Sequence, residues 1–340
     1  MSYDNLGKTM NFIPLFSSGG IGDLIISLSW IENVIKPLNI PVKFYSNFPE
    51  IASYFMPWLS LSKDLYAGGK EKRSFDYFIE ISDMVLFEII TKKELPSYIK
   101  ELYKTYIPHR EEWKDYIKYH PFKANEMSKK ALSMGLKRWS LPFHFLDKEY
   151  KEFEFKNKIG PITIPKRYIT IHDGFDSIGY SKLESSTKSW GLDYWEKFIK
   201  EFKEIYPEIS VIQLGGVKHR KIKGVDINLA GLLSFDKSLK YLKSSLIHVD
   251  SDSGLVHARN LFKKPSIVIF GPTDSNYFGY YDNINISPKF CGDCWWLNNT
   301  WMSKCMKNFD TPKCMDSTKP QHILRIVQEY IFKNDELNSL

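Results

Sequence analysis

The chain of 340 residues carries 47 Lys and Arg against 40 Asp and Glu, a net charge of +7, with 43% hydrophobic and 26% charged residues. At about 150 residues per domain this length suits two domains. The composition excludes a disordered chain, and four Cys in 340 residues are too sparse for a disulfide-stapled scaffold. The basic surplus favours anionic partners but falls short of a dedicated nucleic-acid module.

Residues 11–17, NFIPLFS, form an apolar run that predicts a buried strand. The glycine turn SSGGIGD leads into a helix with Leu24, Leu28, Ile31 and Ile35 on one face, and Pro37 is expected to end it. Residues 41–47 and 77–81 predict further strands. A basic stretch follows, predicted helical from Tyr98, Leu102 and Tyr106 at i, i+4 and i+8, with breaks at Pro108 and Pro121. Residues 92–138 hold twelve Lys and Arg against six acids, nearly the whole surplus of the chain.

Residues 148–165 are charged and punctuated by Gly and Pro, as expected of an interdomain linker. The pattern then restarts, with strands at 167–174, 209–216, 246–254 and 266–272 and helices at 192–205, 235–244 and 323–332. Strands alternating with helices mean parallel α/β packing, here twice over. The expected division is a first domain at 1–155, a second at 166–320 that includes the Cys cluster 291–314, and a closing helix and tail at 321–340. No stretch reaches the roughly 18 consecutive apolar residues of a membrane span. The opening residues lack the layout of a secretion signal, so a cytoplasmic location is expected.

Four places carry candidate chemistry. In Gly19-Gly20-Ile21-Gly22-Asp23, glycines between a strand and a helix allow close approach of a ligand, and the helix start favours an anion. The spacing is not that of the dinucleotide fingerprint. Asp23 is either a first-turn acid that stabilises the helix dipole or a general base at the carboxyl end of the first strand. The second place is His172-Asp173-Gly174, followed by a polar excursion to Thr187-Lys188-Ser189-Trp190. Lys188 is either a solvated charge or a point charge for a diphosphate; Trp190 is expected to pack.

The third is Asp250-Ser251-Asp252-Ser253-Gly254-Leu255-Val256-His257, where a strand delivers acids and hydroxyls to the start of a helix suited to phosphate. His257, one turn in, is a core imidazole or a ligand contact. The fourth is Cys291, Cys294, Cys305 and Cys314, all the cysteines of the chain, spaced C-x2-C-x10-C-x8-C. Four thiolates suit a structural zinc or iron ion; the alternative is four incidental thiols.

Taken in order, GGIGDLIISLSWI, the strand ending in HDG, TKSW, QLGG and DSDSGLVHARNLFKKPSIVIFGPTD resemble glycosyltransferase family 9, the ADP-heptose heptosyltransferases. The likeness is strongest over 246–274 and weak between 50 and 165. The Cys cluster is similar to that of the autotransporter heptosyltransferases, which bind iron through cysteines. This resemblance implies a GT-B fold, two Rossmann-like domains facing each other across a cleft, with acceptor on the first and nucleotide sugar mainly on the second. It implies an inverting transfer of heptose or a related sugar from a nucleotide diphosphate sugar to an acceptor hydroxyl. Asp23 matches the catalytic base and Lys188 the lysine on the donor phosphates. Asp252, Ser253, Gly254 and His257 match the donor signature, with Gly20, Gly22, His172 and Gly174 as further donor contacts. No metal is expected in the transfer step itself.

An anionic acceptor, whether glycan, protein or modified DNA, is expected to meet the basic segment 92–138. The alternatives are a phage-type transferase acting on a hydroxylated DNA base, a protein O-heptosyltransferase, and a non-catalytic metal-containing binding protein.

Overall fold

The computed structural model describes residues 11–61, 72–81, 87–119, 121–155, 165–174 and 186–339. They divide into two compact units, Met1–Ile117 with Trp139–Glu154, and Lys118–Arg138 with Phe155–Leu340. Strands and helices alternate along much of the described chain. The order is β1 (Ile13–Ser17), α1 (Ile21–Trp30), β2 (Val42–Ser46), α2 (Pro49–Phe55), β3 (Ser60–Leu61), β4 (Tyr77–Ile81), β5 (Phe87–Thr91) and α3 (Ser97–Lys118). Next come α4 (Ala124–Ser133), which belongs to the second unit, and α5 (Leu141–His144), which belongs to the first.

The second unit continues with β6 (Tyr168–His172), α6 (Leu192–Ile205), β7 (Ser210–Leu214), β8 (Ile227–Asn228), α7 (Phe235–Ser244), β9 (His248–Ser251), α8 (Gly254–Asn260) and β10 (Ser266–Ile269). It closes with α9 (Ser275–Phe278), β11 (Ile284–Ile286), α10 (Lys313–Asp316) and α11 (Pro320–Ser339). No described helix is long and apolar enough to cross a membrane.

Both units are α/β with largely parallel sheets, as expected for a GT-B chain. The first sheet has the order β3-β2-β1-β4-β5, with β5 antiparallel to β4. The second has the order β11-β10-β9-β6-β7-β8 and is parallel throughout. In each sheet the chain starts near the middle, builds outward on one side, then returns to build on the other. The reversal points lie between β1 and β4 and between β6 and β9. In open α/β sheets the crevice beyond the carboxyl ends at such a reversal is where ligands bind. Central strands of such sheets are covered on both faces: β1, β6, β9 and β10 are buried along their whole length.

Several elements depart from the sequence expectation. The first helix ends at Trp30 and passes through a π turn, Ile31–Ile35, into a 3-10 turn, Lys36–Leu38, that contains Pro37. The π turn shifts the hydrogen-bond ladder so that the Lys36 N–H reaches the Ile31 carbonyl. Helix α3 runs through Pro108 without stopping, because its buried face is set by Ile99, Tyr106 and Trp113 at seven-residue intervals. Residues 151–154, expected in the linker, pack on the first unit: the Asn33 Nδ2 donates to the Lys151 carbonyl at 3.2 Å and the Phe153 N–H to Ser29 Oγ at 3.2 Å. Residues 156–164 of that stretch lie outside the described residues.

The basic run 92–138 is not one surface of the first domain. Its last part, 118–138, joins the second unit, where Asn125 Nδ2 donates to Asp293 Oδ1 at 2.6 Å and the Arg138 N–H to the Tyr277 carbonyl at 3.0 Å.

Arg259, in the most specific motif of the sequence, is structural. It has no exposed surface. Its guanidinium donates to the carbonyl oxygens of Leu242, Ser245 (3.3 Å), Leu246 (3.2 Å) and Pro265 (2.7 Å). These include orphan carbonyls at the end of α7, so the side chain ties α7 to α8. Burial lowers its pKa to about 10, so it stays charged at neutral pH. Arg259→Met should leave these buried acceptors unsatisfied and destabilise the protein by about 3 kcal/mol, read by equilibrium urea unfolding. A loss below about 1 kcal/mol would mean the carbonyls find other donors.

Candidate active site

The second reversal point is built from two strand ends. Strand β6 delivers His172 and then Asp173 and Gly174. Gly174 has φ +72°, and a Cβ there would fall 2.0 Å from Ser251 Oγ, so only glycine fits this turn. Asp173 is buried and held by Arg220, whose Nε donates at 2.8 Å and Nη2 at 2.5 Å. Burial raises the Asp173 carboxyl above its ordinary value, and Arg220 opposes that rise.

Strand β9, beside β6, delivers Asp250, which has no exposed surface. His172 Nδ1 lies 2.9 and 3.0 Å from its two oxygens, and His248 Nε2 lies 3.1 Å from one of them. Ser253 Oγ donates to the same carboxylate. Burial works against the charge on Asp250, but His172 and His248 outweigh it and hold the carboxyl below the usual carboxylate range. Burial pushes the His248 imidazole down. Ser253 also caps α8, accepting the Leu255 N–H at 3.2 Å. Gly254 opens that helix of seven residues.

One step further on, Lys188 Nζ sits 3.0 Å from Asp252 Oδ2, both groups mostly buried. Burial opposes the charge on Asp252; Lys188, then Arg138, then His257 overcome it and lower its pKa. His257 Nδ1 is 2.8 Å from the Tyr280 hydroxyl. Burial first, and Arg138 second, push the His257 imidazole down to about 3, so it is neutral. Lys188 and Arg138 thus both act on the Asp252 carboxylate. The buried hydroxyls of Ser251 and Thr273 lie at the end of β9 and beyond β10, with no hydrogen-bond partner among the described residues.

The Lys188 turn is anchored to the cysteine segment: Thr187 N–H donates to the Met302 carbonyl at 2.9 Å and Thr187 Oγ1 to the Trp301 carbonyl at 2.8 Å. Trp190 is fully buried and donates to the Thr318 carbonyl at 2.9 Å, the packing role expected of it. Residues 175–185 of the preceding loop lie outside the described residues.

In the first unit, Asp23 stands in the first turn of α1, beyond the carboxyl end of β1, with Gly22 buried beside it. The Gly20 N–H donates to Asp23 Oδ2 at 2.8 Å. Gly19 has φ +99°, and a Cβ there would fall 2.4 Å from Asp23 Oδ2. The glycines thus let the acid fold back over the turn, and the first-turn stabilising role of Asp23 is realised in this geometry.

The four cysteines share a segment pinned to the β10 end, where the Cys294 and Trp295 N–H groups both donate to the Pro272 carbonyl, at 2.9 and 3.1 Å. Burial, then Cys305 and Cys291, push the Cys294 thiol up to about 11; burial, then Cys291 and Cys294, push Cys314 up to about 12. They are thus electrostatic neighbours. Yet among the described residues the trio of ligand atoms gathered within 4.8 Å is His109, Glu112 and His144, and no three sulfurs come that close.

Residues 180–312 match the family model described as glycosyltransferase family 9 (heptosyltransferase). No curated protein matches the chain. Among solved structures, the E. coli ADP-heptose lps heptosyltransferase II is 12% identical with a TM-score of 0.54, covering 96% of this chain and 100% of its own. The iron-containing dodecameric glycosyltransferase TibC from enterotoxigenic E. coli H10407 is 12% identical with a TM-score of 0.60, covering 96% of this chain and 80% of its own. A glycosyl transferase family 9 structure from Veillonella parvula DSM 2008 is 10% identical with a TM-score of 0.51, covering 95% and 98%. The fold is that of the heptosyltransferases, and residues 180–312 resemble glycosyltransferase family 9.

Of the residues singled out by sequence, His172, Gly174, Lys188, Asp252, Ser253, Gly254 and His257 gather on one edge of the second sheet. Gly20, Gly22 and Asp23 occupy the corresponding edge of the first. Sequence reasoning placed Asp250 in the acid-rich strand end without giving it a role, and it missed Arg138. The signal for Asp250 was present: a carboxylate inside the apolar strand LIHVDS has to be paired. Arg138 gave no signal, being one cation in a basic run.

The His257 pKa carries a pH prediction. In the folded protein it lies below the ordinary value of about 6.5, so the unfolded chain takes up the proton first on acidification. Stability should be complete above about pH 6.5 and decline as the pH falls towards 3. His257→Gln should flatten that decline between pH 6.5 and 4.5, above the range where Asp250 and Asp252 protonate. Urea unfolding across this range checks it, and an unchanged slope would contradict it.

Proposed function

We propose that the chain is an inverting transferase that moves a heptose or related sugar from a nucleotide diphosphate sugar to an acceptor hydroxyl. The observation that carries this is the mostly buried Lys188 ammonium held 3.0 Å from Asp252 at the second reversal point, with Arg138 acting on the same carboxylate. A diphosphate bound there would meet Lys188 and the buried hydroxyls of Ser251 and Thr273. Charge that grows on the departing diphosphate is stabilised by cations already in place. Asp252 holds Lys188 ready, and Asp250, through His172 and Ser253, fixes the strand ends and the start of α8. Gly174 makes the turn that clears Ser251, and Gly254 opens α8. In the first unit Asp23 acts as general base, taking the proton from the acceptor hydroxyl as it attacks the anomeric carbon. Gly20 and Gly22 form the turn that presents Asp23. No metal is assigned to this step.

The acceptor side belongs to the first unit. Along its basic stretch Lys100 pairs with Glu94, Lys104 with Glu101, and Arg110 and Lys114 with Glu111. Such exposed pairs neutralise much of the field, which favours a moderately anionic glycan or protein over DNA. A nucleotide-sugar donor supports a cytoplasmic location.

We also propose that Cys291, Cys294, Cys305 and Cys314 hold one structural zinc or iron ion. Four thiols fit either metal, and the TibC structure is described as iron-containing. Binding would draw the sulfurs together and lower the thiol pKa values that burial raises. The ion would cross-link the segment that anchors the Lys188 turn.

Asp23→Asn should leave donor affinity intact and cut turnover by about 10²-fold or more. Lys188→Ala should weaken both donor affinity and turnover. Calorimetry with a nucleotide diphosphate sugar, paired with rate measurement, separates the two roles. Near wild-type turnover in Asp23→Asn, or unchanged affinity and rate in Lys188→Ala, would remove that residue from the site.

Elemental analysis of protein purified without added metal should find one tightly held zinc or iron per chain. Four thiols that all titrate in the folded protein, with no stoichiometric metal, would contradict the cysteine site.

A further inference from the structure

Helix α3 places His109 and Glu112 three residues apart, on one face of the helix. The last residue of α5, His144, comes to the same place. One ligand atom from each of the three lies within 4.8 Å of the others, and the two imidazole rings are 4.6 Å apart. His144 sits on a rigid base, with Phe143 and Phe145 buried on either side of it. The chain then turns through Asp147, at φ +50°, held by its N–H to the His144 carbonyl at 3.1 Å. That turn brings Asp147 Oδ1 to 2.7 Å from His109 Nε2. The cluster lies wholly within the first unit.

We propose that His109, Glu112 and His144 form a binding site for a divalent transition-metal ion, with zinc as the expected occupant. Two imidazoles and a carboxylate form a donor set of the zinc type, unlike the all-oxygen sets of calcium and magnesium. Asp147 supplies the carboxylate that commonly orients a metal-bound imidazole. Two carboxylates beside a dication also leave the site near neutrality. Glu112 is exposed and gives the ion a route in from solvent. The bound ion would clamp α3 to the turn after α5, bracing the helix that carries much of the basic stretch. It shares no residue with the cysteine segment in the second unit.

Cobalt(II) is the probe, because thiolate ligation gives strong near-ultraviolet charge-transfer absorption that nitrogen and oxygen ligation does not. The whole protein, with its cysteine site as purified, should take up one cobalt equivalent that shows visible d–d bands without new thiolate absorption. His109→Gln and His144→Gln should each weaken that binding at least tenfold, and Glu112→Gln should weaken it by about tenfold. Zinc should raise the melting temperature of the wild type and leave that of the double His variant unmoved. Circular dichroism of each variant without added metal checks that it folds, and Glu112→Gln, an exposed change, serves if a His variant does not. Cobalt binding that survives in the folded variants, that appears only as thiolate bands, or that is absent from the wild type would overturn the site.

Discussion

A carboxylate with no access to water has to be paired or it will not stay charged. Asp250 meets that condition with two imidazoles and a hydroxyl, and the geometry of the second unit's ligand edge follows from it. His172 comes from the neighbouring strand, so the pair locks the ends of β6 and β9 in register. Ser253 comes from the turn after β9, so the same carboxylate sets where α8 begins. The turn after β6 must then clear Ser251, which leaves no room for a Cβ at Gly174. Lys188, Asp252 and Arg138 are arranged on a frame that this one buried charge fixes.

The two units use one topological device. Each sheet reverses its building direction beside its first strand, and each has one glycine with positive φ after that strand, Gly19 and Gly174. The chemistry placed there differs. The first unit presents a single carboxylate, Asp23, folded back over its own helix turn. The second presents Lys188 paired with Asp252, buried hydroxyls and the neutral imidazole of His257. That contrast matches a division between a group that takes a proton and groups that receive negative charge. The cysteine segment belongs to this frame as well, since Thr187 and the residues around Trp301 are tied by two hydrogen bonds.

Much of this was legible in the sequence, and what was not has identifiable causes. Alternating apolar strands and amphipathic helices announced parallel α/β packing, and the HDG and DSDSG turns marked the ligand edge. The edge strands β3, β8 and β11 have only two or three residues and carry no period to detect. Pro108 signalled a break that Ile99, Tyr106 and Trp113 override by tertiary burial. Residues 118–138 read as part of a basic stretch, yet contacts such as Asn125 to Asp293, 168 residues away, draw them into the second unit. The cluster of His109, Glu112 and His144 also depends on a contact that spacing could not reveal. The cysteine spacing suggested a metal; the sulfurs are neighbours without forming a closed shell.

The central claim is inverting transfer from a nucleotide diphosphate sugar. The most direct measurement follows the reaction by NMR and mass spectrometry, with a panel of such donors and glycan acceptors. The account predicts one nucleoside diphosphate released per sugar transferred, with the anomeric configuration of the product opposite to that of the donor. Product with retained configuration, or release of nucleoside monophosphate, would contradict it.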